Sequence, residues 1–215
     1  MFKLINLYFK NINNYGFLNS VKILIFEIIG LLKVFNIEEF KFSESLKTSY
    51  SKSKTSNFYN TAYIPTPYYF LYLINNELNY NRINKFNFID LGCGYSRPAN
   101  YLLSKGKNIN YLGIDIDVFK NVDSKKYKIL NLDLRKFNKV NKILGSFIKK
   151  GHKNVIFLSD PFDKKLVFKI LNYLNTKKKK IICILINVNV KNMNKSFKLI
   201  YSKKFNKRNI EIFRN

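Results

Sequence analysis

The sequence predicts an α/β fold in three layers, with a mostly parallel central sheet, a C-terminal antiparallel hairpin and a helical N-terminal extension. Short, continuously apolar runs alternate along the chain with segments of helical spacing. Strands of this kind are typical of a parallel sheet that is covered by helices on both faces. An amphipathic segment ahead of the first apolar run predicts the extension.

Five apolar runs are the predicted parallel strands, and four segments with helical spacing are the predicted helices. The strands are 86–91, 110–114, 127–132, 155–159 and 181–190, and the helices are 68–78, 98–104, 137–149 and 164–174. Thr66, with Pro67 after it, and Asp163 are predicted to cap two of these helices. Two further runs, 197–201 and 210–213, flank a polar segment and predict the closing hairpin.

The first 60 residues are predicted to form a helical extension and a polar connector, and residues 61–215 the main domain. Residues 17–35 are strongly apolar, but charged side chains interrupt them, so no run reaches the roughly 18 uncharged residues of a membrane span. On a helical wheel, aliphatic side chains fill one broad side. We expect a helix packed on its own domain, with a homodimer contact or a peripheral membrane contact as alternatives. The other side of the wheel holds Asn19, Lys22, Glu27, Gly30 and Lys33.

The composition is strongly basic, with a formal net charge of +26 from 39 Lys and Arg against 13 Asp and Glu. Such a balance is typical of proteins that bind nucleic acids or anionic membranes. Nearly all of the charge is Lys, however, and Arg is the better bidentate reader of phosphate. Lys, Asn, Ile, Phe and Tyr have AT-rich codons, so codon bias explains the composition and a nucleic-acid partner is not favoured. Two cysteines and the lack of a signal-peptide pattern predict a reducing, cytoplasmic location.

Acidic residues are scarce, yet four of them lie at or just after the ends of four consecutive predicted strands. In open parallel sheets, ligands bind at the carboxyl ends of the strands, near the point where the strand order reverses. The pattern therefore predicts a ligand site lined by carboxylates. In a chain of this positive charge, we expect these carboxylates to stay ionised. They belong to Asp90, Asp115, Asp133 and Asp160.

The first strand continues into a glycine turn, Asp-Leu-Gly-Cys-Gly-Tyr-Ser-Arg-Pro, at residues 90–98. Gly92 and Gly94 allow the backbone to turn tightly and to approach a ligand closely, and Pro98 fits the first turn of the next helix. A dinucleotide-binding turn requires glycine where this chain has Arg97, which weakens that interpretation. A phosphate-binding P-loop is excluded here because no Gly-Lys-Ser/Thr follows.

Four motifs follow one another along the predicted sheet. They are Phe-Ile-Asp-Leu-Gly-Cys-Gly at 88–94, Tyr-Leu-Gly-Ile-Asp-Ile-Asp at 111–117, Leu-Asn-Leu-Asp-Leu at 130–134 and Val-Ile-Phe-Leu-Ser-Asp-Pro-Phe at 155–162. In this order they resemble the S-adenosylmethionine-dependent methyltransferases of the Rossmann-like class, over residues 62–213. Tyr-Ile-Pro-Thr-Pro-Tyr at 63–68 also resembles a small bacterial subgroup of that class with poorly defined acceptors.

The resemblance implies a set of cofactor-binding residues. S-adenosylmethionine has no phosphate; its carboxylate is expected at the glycine turn, its ammonium at Asp90 and its ribose hydroxyls at Asp115, about 20 residues beyond the glycines. Arg97 either pairs with the ligand carboxylate or faces solvent, and Ser96, where the family often has glycine, is expected to cap the helix. For each aspartate, a cap or turn former is the alternative. The implied cofactor-binding residues are Asp90, Gly92, Cys93, Gly94, Arg97, Asp115, Ile116, Asp133 and Leu134, with the last three around the adenine.

The acceptor side is implied at the end of the fourth strand. Asp160 is the predicted catalytic residue, which orients the acceptor or takes its proton, and a helix cap is its alternative role. A nitrogen acceptor is indicated weakly and an oxygen acceptor stays open. Methyl transfer needs no metal or catalytic nucleophile, and none is predicted; His152 is expected to face solvent and Cys183 to pack in the core. The predicted substrate contacts are Pro161, Phe162, Tyr63 and Tyr68.

Two functions from different classes follow. The first is an S-adenosylmethionine-dependent methyltransferase acting on a small-molecule or macromolecular acceptor. The second is a non-catalytic binding module with a methyltransferase fold, basic and associated with RNA or a membrane surface, since a fold does not settle a function.

Overall fold

The computed structural model describes residues 12–33, 66–116, 127–148, 152–159, 164–176, 180–188 and 196–215. Four of the predicted site residues, Tyr63, Asp160, Pro161 and Phe162, lie outside these ranges, as does the predicted cap Asp163. The described elements, in chain order, are α1 (Phe17–Lys33), α2 (Tyr68–Tyr80), β1 (Lys85–Leu91), α3 (Arg97–Ser104), β2 (Asn108–Asp115), β3 (Lys128–Asn131), α4 (Phe137–Phe147), β4 (Asn154–Ser159), α5 (Lys164–Thr176), β5 (Ile181–Ile186), β6 (Lys198–Lys204) and β7 (Asn209–Arg214).

The strands form one seven-stranded sheet in the order β3-β2-β1-β4-β5-β7-β6. The pairs among β1 to β5 are parallel, and β7 pairs antiparallel with both β5 and β6. This arrangement confirms the predicted fold class. The strand order reverses between the neighbours β1 and β4, so the switch point, where open sheets of this kind bind ligands, lies at their carboxyl ends.

Helices cover both faces of the sheet because successive strand residues point to opposite sides. On β1, Phe86 and Phe88 belong to the core under α1, α2 and α3, whereas Ile89 and Leu91 belong to the core under α4 and α5. All six residues of β5 are buried, which is why the strand appears in the sequence as an unbroken apolar run. His152 is exposed and Cys183 is buried, as predicted.

Several local predictions differ from the structure. The run 181–190 forms a strand only to Ile186, and Asn187 after it has a φ of 58°. Thr66 does not cap α2, because its hydroxyl donates to Ser159 across the domain and Pro67 takes the N-cap position. Ser96 occupies the N-cap position of α3, but with a φ of 56° and no side-chain capping bond.

Helix α1 packs on its own domain, as expected, but its contact side holds polar and small residues of the helical wheel. Gly30 lies against α2 so closely that a Cβ there would be 2.3 Å from the ring of Tyr68. Oε1 of Glu27 accepts a hydrogen bond from the N–H of Tyr68, and Ile23 and Phe26 pack into the same core. The aliphatic side chains on the other side of the helix are exposed. None of the described helices has both the length and the apolar character that a membrane crossing requires.

Candidate functional site

The turn between β1 and α3 is held against the end of β2. Gly92 and Gly94 have φ angles of 84° and 46°, in the left-handed region that glycine adopts without strain. The backbone N–H groups of Gly92 and Cys93 donate to the carbonyl of Ile114, over 2.8 and 3.3 Å. The N–H of Gly94 donates to Oδ2 of Asp115 over 2.8 Å. The structure therefore brings together the glycine turn and the second strand-end carboxylate, as the sequence predicts.

Gly113 of β2 makes room for this turn. A Cβ at this position would lie 2.7 Å from Sγ of Cys93 and 2.9 Å from the hydroxyl of Tyr111. Cys93 is buried against β2, and burial raises the pKa of its thiol, with further increases from the carboxylates of Asp90 and Asp115. Cys93 thus contributes backbone to the turn and carries an unreactive thiol.

Asp90 lies near the end of β1, under the turn, and is only 2% exposed. The hydroxyl of Tyr111 is 3.2 Å from its Oδ2 and 2.8 Å from the hydroxyl of Ser96. Burial raises the pKa of Asp90 to about 8; the Tyr111 hydrogen bond opposes this shift and the charge of Asp115 adds to it. The carboxyl is protonated at neutral pH in this state. The expectation that every strand-end carboxylate stays ionised is wrong for Asp90, because desolvation outweighs the positive charge of the chain.

Asp115 is the last residue of β2 and is only partly buried. Its backbone carbonyl accepts a hydrogen bond from the N–H of Leu132, which fixes the strand end. Ile116, the next residue, is 39% exposed. A carboxylate and an accessible aliphatic side chain therefore stand side by side beyond the glycine turn, where the sequence predicts the ribose and adenine contacts.

Asp133 and Leu134 form a turn after β3, which ends at Asn131, one residue before the predicted strand end at Leu132. The carboxylate of Asp133 accepts from the backbone N–H of Arg135 over 2.8 Å and pairs with its guanidinium over 2.6 Å. These hydrogen bonds to Arg135 lower the pKa of Asp133. Leu134 is buried. Asp133 thus has the turn-forming role that the sequence left as its alternative, and the adenine contact stays a prediction.

Arg97, at the start of α3, is buried and points away from solvent. Its Nη1 lies 2.9 Å from Oε2 of Glu27 and 3.3 Å from the carbonyl of Thr66. The guanidinium stacks over the ring of Tyr68 at 4.5 Å, and the N–H of Tyr68 donates to Oε1 of Glu27 over 2.7 Å. Of the two alternatives for Arg97, the one in which it faces solvent is therefore wrong. Pairing with a ligand carboxylate would compete with Glu27. The ring of Tyr68, a predicted substrate contact, is 2% exposed within this cluster.

A small cleft opens at the carboxyl ends of β1 and β4. The hydroxyl of Thr66 donates to that of Ser159 across it, over 3.0 Å. Thr66, Phe157 and Ser159 line the cleft but were not among the predicted site residues. Ser159 could have been predicted, because it is the last residue of its strand. The cleft is lined by Thr66, Asp90, Gly92, Cys93, Pro98, Phe157 and Ser159.

Solved structures of methyltransferases are similar to this chain. The Escherichia coli protein yhhF, which carries a provisional methyltransferase assignment, has a TM-score of 0.53 and 14% identity, over 71% of this chain and 87% of its own. A provisionally assigned methylase from Haemophilus influenzae has a TM-score of 0.47 and 15% identity, over 68% and 88%. A provisionally assigned RNA methyltransferase from Pyrococcus horikoshii has a TM-score of 0.47 and 16% identity, over 80% and 94%. No family model and no curated protein sequence matches.

The strand order, the reversed last strand and the first of these similarities define the class of fold. The chain has the Rossmann-like methyltransferase fold. The narrower resemblance to a bacterial subgroup stays a prediction.

Proposed function

We propose that the protein is an S-adenosylmethionine-dependent methyltransferase that moves a methyl group to a nitrogen or oxygen atom of its acceptor. The observation that supports this most strongly is the convergence, at the switch point of a methyltransferase fold, of the glycine turn, the buried Asp90 and the partly buried Asp115. The amino end of the same sheet has no comparable group of carboxyls among the described residues.

The chemistry of the cleft fits a cationic ligand without phosphate. Among the described residues that line it, none is basic, and Asp90 contributes an acid. Arg97, the arginine closest in sequence to the glycine turn, forms an ion pair with Glu27. A phosphate-bearing cofactor would leave its charge beside carboxyls, whereas S-adenosylmethionine brings an ammonium and a sulfonium to them.

The described residues bind and orient such a cofactor. Asp115 would accept hydrogen bonds from ribose hydroxyls, Ile116 would pack on the adenine, and the glycine turn would hold the carboxylate close to the backbone. Asp90 would release its proton to solvent on binding of the ammonium, because an opposite charge favours the ionised form. When bound, the cofactor supplies an electrophilic methyl group. Asp160, which lies outside the described residues, remains the proposed residue for orienting the acceptor.

Calorimetric titration of the full chain with S-adenosylmethionine and with its demethylated product tests the cofactor assignment. We expect submillimolar affinity for both. Asp115→Asn should weaken binding by about 5- to 150-fold, which corresponds to the roughly 1–3 kcal/mol of a hydrogen bond to a charged group. The matched control is Glu77→Gln, which removes one carboxylate from the last turns of α2. If the folded wild-type chain binds neither ligand, the proposal is wrong.

A second test separates an enzyme from a binding module. Transfer of a labelled methyl group to small-molecule and macromolecular extracts, followed by identification of the labelled product, would identify the acceptor and its reacting atom. Cofactor binding without any transfer to these extracts would favour the non-catalytic alternative, since a fold does not settle a function.

A further inference from the structure

The outward side of α1 is an apolar surface. Its exposed side chains are large and aliphatic or aromatic, and they recur at helical spacing, so they share one side of the helix. Contiguous apolar area of this kind on a protein surface marks an interaction site. Their exposed fractions are Phe17 61%, Leu18 74%, Leu24 49%, Ile25 48%, Ile28 52% and Ile29 42%.

Contacts on the inward side of α1 keep this surface facing outward. Glu27, the single acidic residue of α1, points inward and pairs with Arg97 over 2.9 Å. Gly30 lies directly against the ring of Tyr68. Rotating α1 to bury its aliphatic side chains would break this ion pair and drive larger residues into Tyr68. The apolar surface is therefore a stable feature of the part of the fold that the structure describes.

A basic turn lies beside the first residues of α1. The turn between β6 and β7 contacts the chain just before α1, because the N–H of Lys207 donates to the carbonyl of Asn14 over 2.8 Å. Residues 202–209, which comprise this turn and the strand ends that flank it, are Ser-Lys-Lys-Phe-Asn-Lys-Arg-Asn and contain four cations and no acid. Lys204, Lys207 and, on α1 itself, Lys22 are exposed. The basic turn is thus adjacent to the N-terminal end of α1, where the apolar surface begins with Phe17 and Leu18.

We propose that α1 and the β6–β7 turn form a docking surface for an anionic lipid membrane. Helix α1 lies in the plane of the interface with its aliphatic side chains among the acyl chains, and the lysines of the turn contact lipid phosphates. Interfacial anchoring draws on both buried apolar area and attraction to anionic lipids. This proposal is independent of the methyltransferase proposal.

Two other partners fit these observations less well. A second copy of the chain would bring two molecules of +26 charge together, which opposes association. Nucleic acid would use the lysines but would leave the six apolar side chains exposed to water. An anionic membrane matches both the apolar and the cationic groups.

Co-sedimentation of the full chain with phosphatidylcholine vesicles, with and without 30% phosphatidylserine (about one lipid in three), tests the proposal. We expect at least about tenfold stronger binding to the anionic vesicles, weakened at high salt. The double variant Ile25→Ser with Ile29→Ser and the double variant Lys204→Glu with Lys207→Glu should each lose about tenfold. All four side chains are partly or largely exposed, so the variants should fold, as circular dichroism would verify.

Matched controls replace similar side chains elsewhere. Tyr80→Ser removes an aromatic side chain that is 84% exposed on α2, and Lys139→Glu with Lys142→Glu reverses two exposed charges on α4. Both controls should bind vesicles as the wild type does. Equal loss in the controls, or no binding to anionic vesicles, would overturn the proposal. So would a dimer in lipid-free solution that Ile25→Ser with Ile29→Ser dissociates, or salt-sensitive RNA binding unaffected by those serines.

Discussion

The buried polar groups at the two ends of the parallel sheet differ in their surroundings and in their role. At the amino end, Nδ2 of Asn87 donates to Oδ1 of Asn154 over 2.9 Å, and Nδ2 of Asn110 donates to Oδ1 of Asn87 over 3.0 Å. The Nδ2 group of Asn154 donates to the carbonyls of His152 and Lys180. Nearby, the buried Nζ of Lys107 has three acceptors within 2.9 Å. Protein groups alone satisfy this end.

At the carboxyl end, by contrast, the buried polar groups and the backbone have features that are typical of a binding site. Asp90 is buried with a raised pKa, and Gly92, Gly94 and Ser96 have left-handed backbone conformations within five residues. Buried polar groups and uncommon backbone conformations cluster at functional sites. The amino end therefore stabilises the fold, whereas the carboxyl end is arranged for ligand binding at some cost in stability.

The largest effect of a single substitution on stability at a fixed, neutral pH is expected at the amino end. Asn154→Ala removes the acceptor of the Asn87 Nδ2 group and the side-chain donor to the carbonyl of His152, at a position that is 0% exposed. We expect the free energy of unfolding to fall by about 3 kcal/mol, because each buried group left unsatisfied costs about 1–3 kcal/mol. Urea unfolding measures this. Cofactor affinity below the transition should stay within about twofold, and a loss below about 1 kcal/mol would contradict the comparison.

The second effect is a pH dependence of the free energy of unfolding, which we attribute to Asp90. Its pKa is about 8 in the folded chain and near 3.8 in the unfolded one. Between these values the native state holds one more proton, so the free energy of unfolding falls as pH rises. The slope is up to about 1.4 kcal/mol per pH unit and ends above the folded pKa.

Asparagine cannot titrate, so Asp90→Asn should remove this contribution. The measurement is urea unfolding of both proteins from pH 5 to 9, with the difference between them plotted against pH. The variant should gain stability relative to wild type as pH rises, while its cofactor binding falls. Parallel curves over the whole range would show that Asp90 is ionised in the native chain.

A smaller effect is expected where β2 supports the turn. Gly113→Ala would place a methyl group 2.7 Å from Sγ of Cys93, and overpacking of this kind costs about 1–3 kcal/mol. Stability and cofactor affinity should both decrease. The double variant Gly113→Ala with Cys93→Ala removes the sulfur and should recover part of both losses. No recovery would indicate that the clash with Tyr111 dominates.

The smallest effect concerns the link between α1 and the glycine turn. Glu27→Gln keeps the shape of the side chain but leaves the buried Arg97 without its counter-charge. We expect a loss of about 1–2 kcal/mol in the free energy of unfolding, below the roughly 3–5 kcal/mol of a fully buried pair, because 27% of the Glu27 side chain is exposed. Urea unfolding of Glu27→Gln beside Glu77→Gln measures it. Equal stability of the two variants would mean that the pair contributes nothing.

The sequence predicts most of the fold because buried parallel strands are continuous apolar runs, as in β5. It also predicts the positions of Asp90 and Asp115 relative to the glycine turn, since strand ends meet at one edge of a sheet. The ionisation of Asp90 was not predictable, because it depends on burial under the turn and on Tyr111. Equally, nothing local links Arg97 to Glu27, which lies 70 residues earlier in the chain.

The orientation of α1 shows the same limit. A helical wheel separates aliphatic from polar residues but does not say which side meets the domain. Here the small Gly30 and the paired Glu27 decide it, because one allows close approach to Tyr68 and the other neutralises Arg97. Both causes are tertiary contacts, so a single amphipathic pattern predicts the helix but not which of its sides is buried.

The most direct test of this division between the two ends is the stabilisation that S-adenosylmethionine gives to four proteins: wild type, Asn154→Ala, Glu77→Gln and Asp115→Asn. At about 100 times the wild-type Kd, the cofactor should raise the free energy of unfolding by about 2.7 kcal/mol in the first three. In Asp115→Asn, whose affinity is expected to be about 5- to 150-fold weaker, the increase should be only about 0.3–1.8 kcal/mol. Equal stabilisation of Asp115→Asn, or none in Asn154→Ala, would contradict the account.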